Sequence, residues 1–197
     1  MASSVQQVRE NVATMPEKEK AAVDEVLREA KSYLVTNNIN NDQITAMAVG
    51  TIRSAHSRQM RYYKSKNWTG NFMVRIPELI NGGDRAVVVH KGSKGAVIYG
   101  LQPNATRPLG WLLPWSKPDM PNQPNKVYAE GGPLERILNK DWNEVEQKLD
   151  MSGDYCHHWD KESGAMVTAG IQDDSEKVAL VGSTISYTGG EGFLTPN

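Results

Sequence analysis

The chain has 197 residues, of which 39% are hydrophobic, and a formal net charge of −1 at pH 7. These values fit one globular domain with a sizeable core, with or without an added helical segment. A single cysteine, Cys156, excludes an internal disulfide framework, and no apolar run approaches the roughly 20 residues of a membrane-spanning helix.

The first residues, 1–7, lack the basic-then-apolar layout of a secretory signal. We therefore expect a cytoplasmic protein without a transmembrane segment.

The segment 1–40 is predicted to be an N-terminal amphipathic helix. Its apolar residues recur at helical spacing, at Val23, Leu27, Ala30 and Leu34. Thr14 and Glu17 form a capping box near the start, and Asn37-Asn38 provides the stop. Two interpretations remain open: the apolar stripe packs on the rest of the domain, or the helix detaches and inserts Val23, Leu27 and Leu34 into a membrane or partner.

From residue 43 to residue 128 the pattern changes to two-residue alternation and short apolar runs separated by turn residues. The alternation predicts strands that place Phe72, Val74 and Ile76 on one face and, later, Leu109, Trp111, Leu113 and Trp115 on one face. Regularly spaced turns are typical of an antiparallel β-sandwich, which we place at 41–188.

A helical insertion is predicted near 133–150. Pro133 opens it, Asp141 is an N-cap with Glu144 three residues later, and Gly153 ends it. Further strands are predicted at about 154–159, 165–172 and 178–187. The glycine-rich tail, 189–197, is expected to be loosely held.

Six blocks of the β-rich part resemble the jasmonate-induced protein family of plants over roughly residues 45–187. They are Trp68-x-Gly70, Pro77 with Asn81-Gly82, Val89-His90, Gly95 to Gly100, Leu113-x-Trp115-Ser116-x-Pro118 and Asn125-x-Val127-Tyr128-x-Glu130. The resemblance implies a β-sandwich with a role in plant defence or stress.

That family is similar in pattern to the cytolysin and lectin-like β-sandwiches, which include actinoporins and fungal fruit-body lectins. The similarity implies carbohydrate or lipid binding. Actinoporins insert a dense cluster of Tyr and Trp into lipid headgroups, whereas the corresponding loop here, 115–124, has one tryptophan and no tyrosine. The loop of this chain therefore offers fewer aromatic side chains to anchor it among lipid headgroups than an actinoporin loop does.

The candidate ligand-binding residues are at the end of the predicted sandwich, where loops carry function and sheets carry stability. They are Trp115, Ser116 and Lys117 with the Pro-rich loop that follows, together with Tyr128 and Trp68. In the alternative, Arg58, Arg61 and Lys64 meet anionic headgroups while the N-terminal helix enters the membrane.

The run Cys156-His157-His158 contains metal-ligand and nucleophile types, but neighbours on a strand point to opposite faces. No second, spaced ligand pair accompanies it. We therefore predict no metal, no cofactor and no catalytic residue.

Together these features predict a non-enzymatic plant defence or stress protein of the lectin-like or ligand-binding type. Its partner is a glycan or a lipid headgroup, and no nucleic acid is expected. A membrane-acting, cytolysin-like or insecticidal protein is the alternative, and an enzyme comes third.

Overall fold

The computed structural model describes residues 17–39, 45–101, 107–120 and 122–188. Thr14 of the predicted capping box and the predicted tail 189–197 lie outside these ranges. The described helices are α1 (Glu17–Thr36), α2 (Leu134–Leu138) and α3 (Trp142–Asp150). The strands are β1 (Met47–Ser54), β2 (Met60–Asn67), β3 (Asn71–Phe72), β4 (Leu79–Ile80), β5 (Arg85–Lys91), β6 (Lys94–Leu101), β7 (Leu109–Ser116), β8 (Lys126–Val127), β9 (Glu130–Pro133), β10 (Tyr155–Trp159), β11 (Ala165–Asp173) and β12 (Val178–Tyr187).

The strands form two six-stranded sheets, which confirms the predicted β-sandwich with an N-terminal helix and a helical insertion. Sheet A has the order β10-β11-β12-β1-β5-β3, and sheet B has the order β4-β2-β6-β7-β8, with β9 also paired to β7. Within the described ranges every pairing is antiparallel except one, in which β1 lies parallel to β12.

The main core lies between the sheets and receives alternate residues of the longer strands. Strand β7 contributes Leu109, Trp111, Leu113 and Trp115, so the predicted alternation is confirmed. Its opposite face is also buried, because Ile137 of α2 and Val145 of α3 cover Leu112 and the neighbouring strand. Both faces of this strand are therefore core, and sheet B is covered on its outer side by the helical insertion.

Helix α1 packs on the outer face of sheet A, as the first of the two interpretations predicted. Its apolar stripe meets the outward residues of β1, β5 and β12, namely Met47, Val49, Val89 and Leu180. Gly182 lies directly beneath the helix: a Cβ there would come within 2.7 Å of Val26 and 3.0 Å of Leu27. The helix therefore rests on bare backbone at this point, which allows a closer approach than any side chain would.

Polar contacts along its sides also fix α1. The helix ends at Thr36, and Asn38 adopts a φ of 47°, as expected of an asparagine stop. The side-chain contacts between α1 and the sheet or its turns are Glu19–His157 (2.8 Å), Asp24–Tyr155 (3.1 Å), Glu25–Arg53 (2.8 Å), Glu29–Arg85 and Lys31–Asp174 (3.1 Å).

The prediction of one strand over 71–76 is wrong. Strand β3 ends at Phe72, and the chain then crosses from sheet A to β4 in sheet B. Phe72 and Ile76 pack against the core, but Val74 is 38% exposed, so the three residues do not share a face. The crossing is held by the Tyr99 hydroxyl, which donates to the Pro77 carbonyl at 2.7 Å.

The helical insertion is confirmed as two short helices. Asp141 is the N-cap of α3, and its carboxylate accepts from the Asn143 backbone N–H at 2.9 Å. The helix ends at Asp150, three residues before the predicted stop at Gly153.

Candidate functional site: a polar pocket at one end of the sandwich

A pocket of about 410 Å³ lies at the end of sheet B where β6 begins and β7 ends. Lys94 and Ser116 are paired across these two strands. The C-terminal end of α3 and the loop 117–125, of which the structure describes 117–120 and 122–125, form the other walls. The lining residues are Ser93, Lys94, Ser116, Pro118, Asp119, Gln123, Pro124, Lys126 and Asp150.

Two lysines join the strands to the end of α3. Lys94 Nζ lies 2.9 Å from Glu146 Oε1 and 2.9 Å from Asp150 Oδ1, and Lys126 Nζ donates to the Asp150 carbonyl. The last carbonyls of a helix lack partners within the helix, so Lys126 satisfies one of them. Burial by itself lowers the pKa of Lys94, but its hydrogen bonds to Glu146 and Asp150 outweigh burial and raise that pKa above its ordinary value. This wall of the pocket thus carries a fixed, fully protonated ammonium group.

The loop 117–125 is held at both ends by Asp173, the last residue of β11. Lys117 Nζ lies 3.4 Å from Asp173 Oδ1, and Asn125 Nδ2 donates to the same oxygen at 2.9 Å. The Lys117 backbone N–H also donates to the Ser93 carbonyl at 2.7 Å. The Lys117 side chain is only 8% exposed, so its role is to anchor the loop.

Three lining side chains retain free hydrogen-bonding capacity. Within the part of the chain that the structure describes, Ser116, Asp119 and Gln123 have no polar side-chain partner. Ser116 is only 6% exposed, although its hydroxyl is both a donor and an acceptor. The Ser116 hydroxyl keeps contact with solvent through the pocket, so it is available to a ligand atom or to water.

Some of the predicted ligand-binding residues lie at the pocket and others do not. Ser116 lines the pocket and Lys117 begins its loop. Trp115 is 1% exposed and packs with Phe72 and His90 inside the sandwich, so its proposed role at a binding surface needs correction. The physical reason is strand alternation: because Ser116 faces outward, Trp115 faces the core.

Trp68 and Tyr128 do not line the pocket, although the Trp68 backbone N–H donates to the carbonyl of the lining residue Lys94 at 3.2 Å. Trp68 packs edge-on against Trp142, with ring centroids 5.7 Å apart, on the helical side of sheet B. Tyr128 is 7% exposed, and its hydroxyl donates to Glu130 Oε2 at 2.7 Å. Burial, followed by the Glu130 charge, raises the pKa of Tyr128. The Tyr128 ring is therefore enclosed, and the half-buried Trp68 ring is held against Trp142.

Glu130 is the centre of a nearly buried ion cluster beneath α2 and α3. Its carboxylate lies 2.7 Å from Lys140 Nζ and 3.6 Å from Lys148 Nζ. Burial alone raises the pKa of Glu130, but hydrogen bonds from Lys140 and Tyr128 outweigh it and lower that pKa. The cluster ties the helical insertion to β9.

The basic residues of the membrane-acting alternative lie on other parts of the molecule. Arg58 follows β1 at the opposite end of the sandwich and lies over the Tyr187 ring at 5.9 Å. Arg61 is exposed on β2, opposite Gly100. Lys64 donates to the Leu138 carbonyl and lies 5.3 Å from the Trp142 ring. Val23, Leu27 and Leu34, the helix residues of that alternative, are covered by sheet A.

Strand β10 places His157 on the face opposite Cys156 and His158, as the alternation predicted. His157 Nδ1 lies 2.8 Å from Glu19 on the outer side, whereas Cys156 Sγ contacts the Ala129 carbonyl at 3.6 Å on the inner side. Burial raises the pKa of Cys156 to about 11. Across the described ranges no three His, Cys, Asp or Glu residues are grouped to hold a metal ion.

The predicted Pro-rich loop contains Asp119 and Gln123, but the sequence missed the contributions of Lys94 and Asp150 to the pocket. Lys94 belongs to a Gly-Ser-Lys-Gly hairpin, and Asp150 belongs to a helix far along the chain. Only the packing of α3 on sheet B brings these two together.

Neither a protein-family model nor a curated protein sequence matches the chain. Among solved structures, the lipid binding protein Nakanori has a TM-score of 0.65 and 16% sequence identity, covering 85% of each chain. The likeness is one of fold. The lectin of Xerocomus chrysenteron is more distant, with a TM-score of 0.44 and 8% identity over 71% of this chain and 99% of the lectin. None of the described helices is long and apolar enough to cross a membrane.

Proposed function

We propose that this chain is a non-enzymatic binding protein that holds an uncharged or zwitterionic polar group in the pocket at the end of the sandwich. The observation that carries the proposal is the set of unpartnered groups, Ser116, Asp119 and Gln123, between firmly held walls. Such a set offers donors and acceptors without further rearrangement, which reduces the entropic cost of binding.

The charges of the lining residues define the class of ligand. Lys94 and Lys126 are balanced by Asp119 and Asp150. An anionic ligand is favoured by an excess of cations, which this pocket lacks. A group with no net charge, such as a zwitterionic lipid headgroup or a sugar, suits it better. The lipid-binding function of Nakanori supports the first of these sources.

The lining chemistry also supports a binding role rather than catalysis. Nucleophilic catalysis needs a nucleophile with a base within hydrogen-bond reach. The pocket lining contains Ser116 but no histidine, and the partly buried Cys156 is not a lining residue. The role in plant defence or stress, which the family resemblance implies, is compatible with a protein that recognises a surface lipid or glycan.

Membrane disruption by a detached α1 has less support. Detachment would expose the apolar stripe of the helix together with Met47, Val49 and Leu180 on the sheet. It would also break the ion pairs of Glu25 and Lys31. The close approach of α1 to the backbone at Gly182 is typical of a helix that stays packed on its sheet.

The test compares Asp119→Asn with Glu162→Gln. Both remove one exposed carboxylate, but Glu162 lies in the turn between β10 and β11, outside the pocket lining. Each protein is titrated with phosphatidylcholine vesicles and applied to a glycan array. We expect the unmodified protein to bind one of these probes and Asp119→Asn to bind it about tenfold more weakly, since hydrogen bonds to charged groups contribute about 1.5–3 kcal/mol. Equal binding by both variants, or no binding of either probe by folded protein, would overturn the proposal.

A further inference from the structure

Two exposed methionines each follow a residue that lines the polar pocket. Met120 is 59% exposed and follows Asp119 in the loop 117–125; Met151 is 64% exposed and follows Asp150 at the end of α3. They come from different elements, and each adjoins a lining residue. The remaining exposed large apolar residues of the described chain, such as Met73 after β3, do not adjoin the lining.

A single exposed apolar side chain is normal on a protein surface and needs no explanation. Two long, flexible thioether side chains beside one polar pocket form a more specific arrangement. A glycan in solution would use the polar pocket and leave both methionines in water. A bilayer presents polar headgroups and apolar chains a few ångströms apart, so it matches the pocket and the methionines together.

We propose that this end of the sandwich docks on the surface of a zwitterionic bilayer, with a lipid headgroup in the pocket and Met120 and Met151 inserted beside it into the acyl boundary. The inference rests on the proposed function and deepens it, because it selects a membrane rather than a soluble molecule as the source of the ligand.

Methionine is suited to this position. Its unbranched side chain adapts to irregular apolar surroundings, whereas the loop lacks the aromatic residues that often sit at membrane interfaces. The balanced charges of Lys94, Lys126, Asp119 and Asp150 make anionic lipid unnecessary. Docking is therefore expected on pure phosphatidylcholine and should change little when salt shortens the range of electrostatic attraction.

The first experiment is vesicle flotation with the double variant Met120→Ser/Met151→Ser and the matched control Met73→Ser. Met73 is 41% exposed and lies after β3, where its backbone N–H bonds to Val89. We expect about tenfold weaker binding to phosphatidylcholine vesicles per methionine, or about 1.4 kcal/mol each, and hence about 100-fold for the double variant. The control should bind as the unmodified protein does.

Soluble phosphocholine separates the two proposals. Its affinity, measured by calorimetry or NMR titration, should be unchanged in the double variant and reduced in Asp119→Asn. If the double variant keeps full vesicle binding while Asp119→Asn loses it, the proposed insertion of the methionines is refuted and the proposed binding pocket is retained. If Asp119→Asn binds vesicles and phosphocholine normally, the pocket itself is wrong.

A second measurement reports insertion directly. Met120→Cys, Met151→Cys and Met73→Cys, each combined with Cys156→Ser, are labelled with an environment-sensitive fluorophore, because the native thiol of Cys156 is only partly buried. Vesicles should shift the emission at positions 120 and 151 to the blue and leave position 73 unchanged. Equal shifts at all three positions, or none at any, would overturn the docking surface.

Discussion

Replacing Leu27 by alanine tests whether α1 is part of the folded domain or a detachable helix. Leu27 is 1% exposed and packs against the backbone at Gly182 and the apolar residues of β1, β5 and β12. A strand backbone cannot move to fill the space that the lost side chain leaves. We therefore expect a loss of about 3 kcal/mol in the free energy of unfolding, within the range of buried Leu→Ala changes. Alanine is itself a strong helix former, so reduced helix propensity contributes nothing to this loss.

The assay is thermal and urea unfolding, followed by tryptophan fluorescence and by far-ultraviolet circular dichroism. For a domain of this size, a loss of about 3 kcal/mol lowers the Tm by roughly 6–12 °C. Both probes should report one coincident transition, because the helix and sandwich unfold together.

The control is Val35→Ala on the same helix. Val35 is 69% exposed, so its truncation should change the free energy of unfolding by less than about 0.5 kcal/mol. The reasoning is refuted if Leu27→Ala behaves like this control. It is also refuted if only a helical signal is lost, at lower temperature than the main transition, since the helix would then melt separately.

Three further predictions concern buried titratable groups. Glu130→Gln should lower the free energy of unfolding by about 3 kcal/mol, because two lysines lose a nearly buried carboxylate, whereas Glu144→Gln, 54% exposed, should cost under about 1 kcal/mol in urea unfolding. Burial lowers the pKa of both His56 and His90 from 6.5 to about 4. As the pH falls, the unfolded chain therefore binds protons at these histidines before the folded protein does. The contribution of each histidine to the free energy of unfolding is complete above pH 6.5 and decreases by about 3 kcal/mol as the pH drops to 4. The thiol of Cys156, whose pKa burial raises to about 11, should react with a disulfide reagent only after unfolding.

Specific results would contradict each of these. Equal losses for the two glutamate variants would mean that the ion cluster contributes no more than a surface pair. A stability profile that stays flat between about pH 6.5 and pH 5.5, above the range where most carboxylates titrate, would show that the histidines are not kept neutral by burial. Rapid thiol modification of the native protein at pH 7 would show that β10 opens readily.

The sequence by itself determined where most of the longer helices and strands lie. Alternation in the segment Leu109–Ser116, helical spacing from Val23 to Leu34 and the N-cap at Asp141 are local patterns. Each follows from the geometry of a single element, so each could be predicted without knowing its neighbours. The prediction of a strand over 71–76 is wrong because these residues form the connection between the two sheets. Tertiary contacts override local alternation there.

Only the tertiary structure decided which residues meet at the pocket. Lys94 and Asp150 are 56 positions apart and meet because α3 packs on the outer face of sheet B. The same packing decides the roles of neighbours: the aromatic ring of Trp115, which looked most suited to a ligand, is in the core, and the small hydroxyl of Ser116 faces the pocket. Residue chemistry can be read from sequence, but the face of a strand that becomes interior depends on what the rest of the chain places against it.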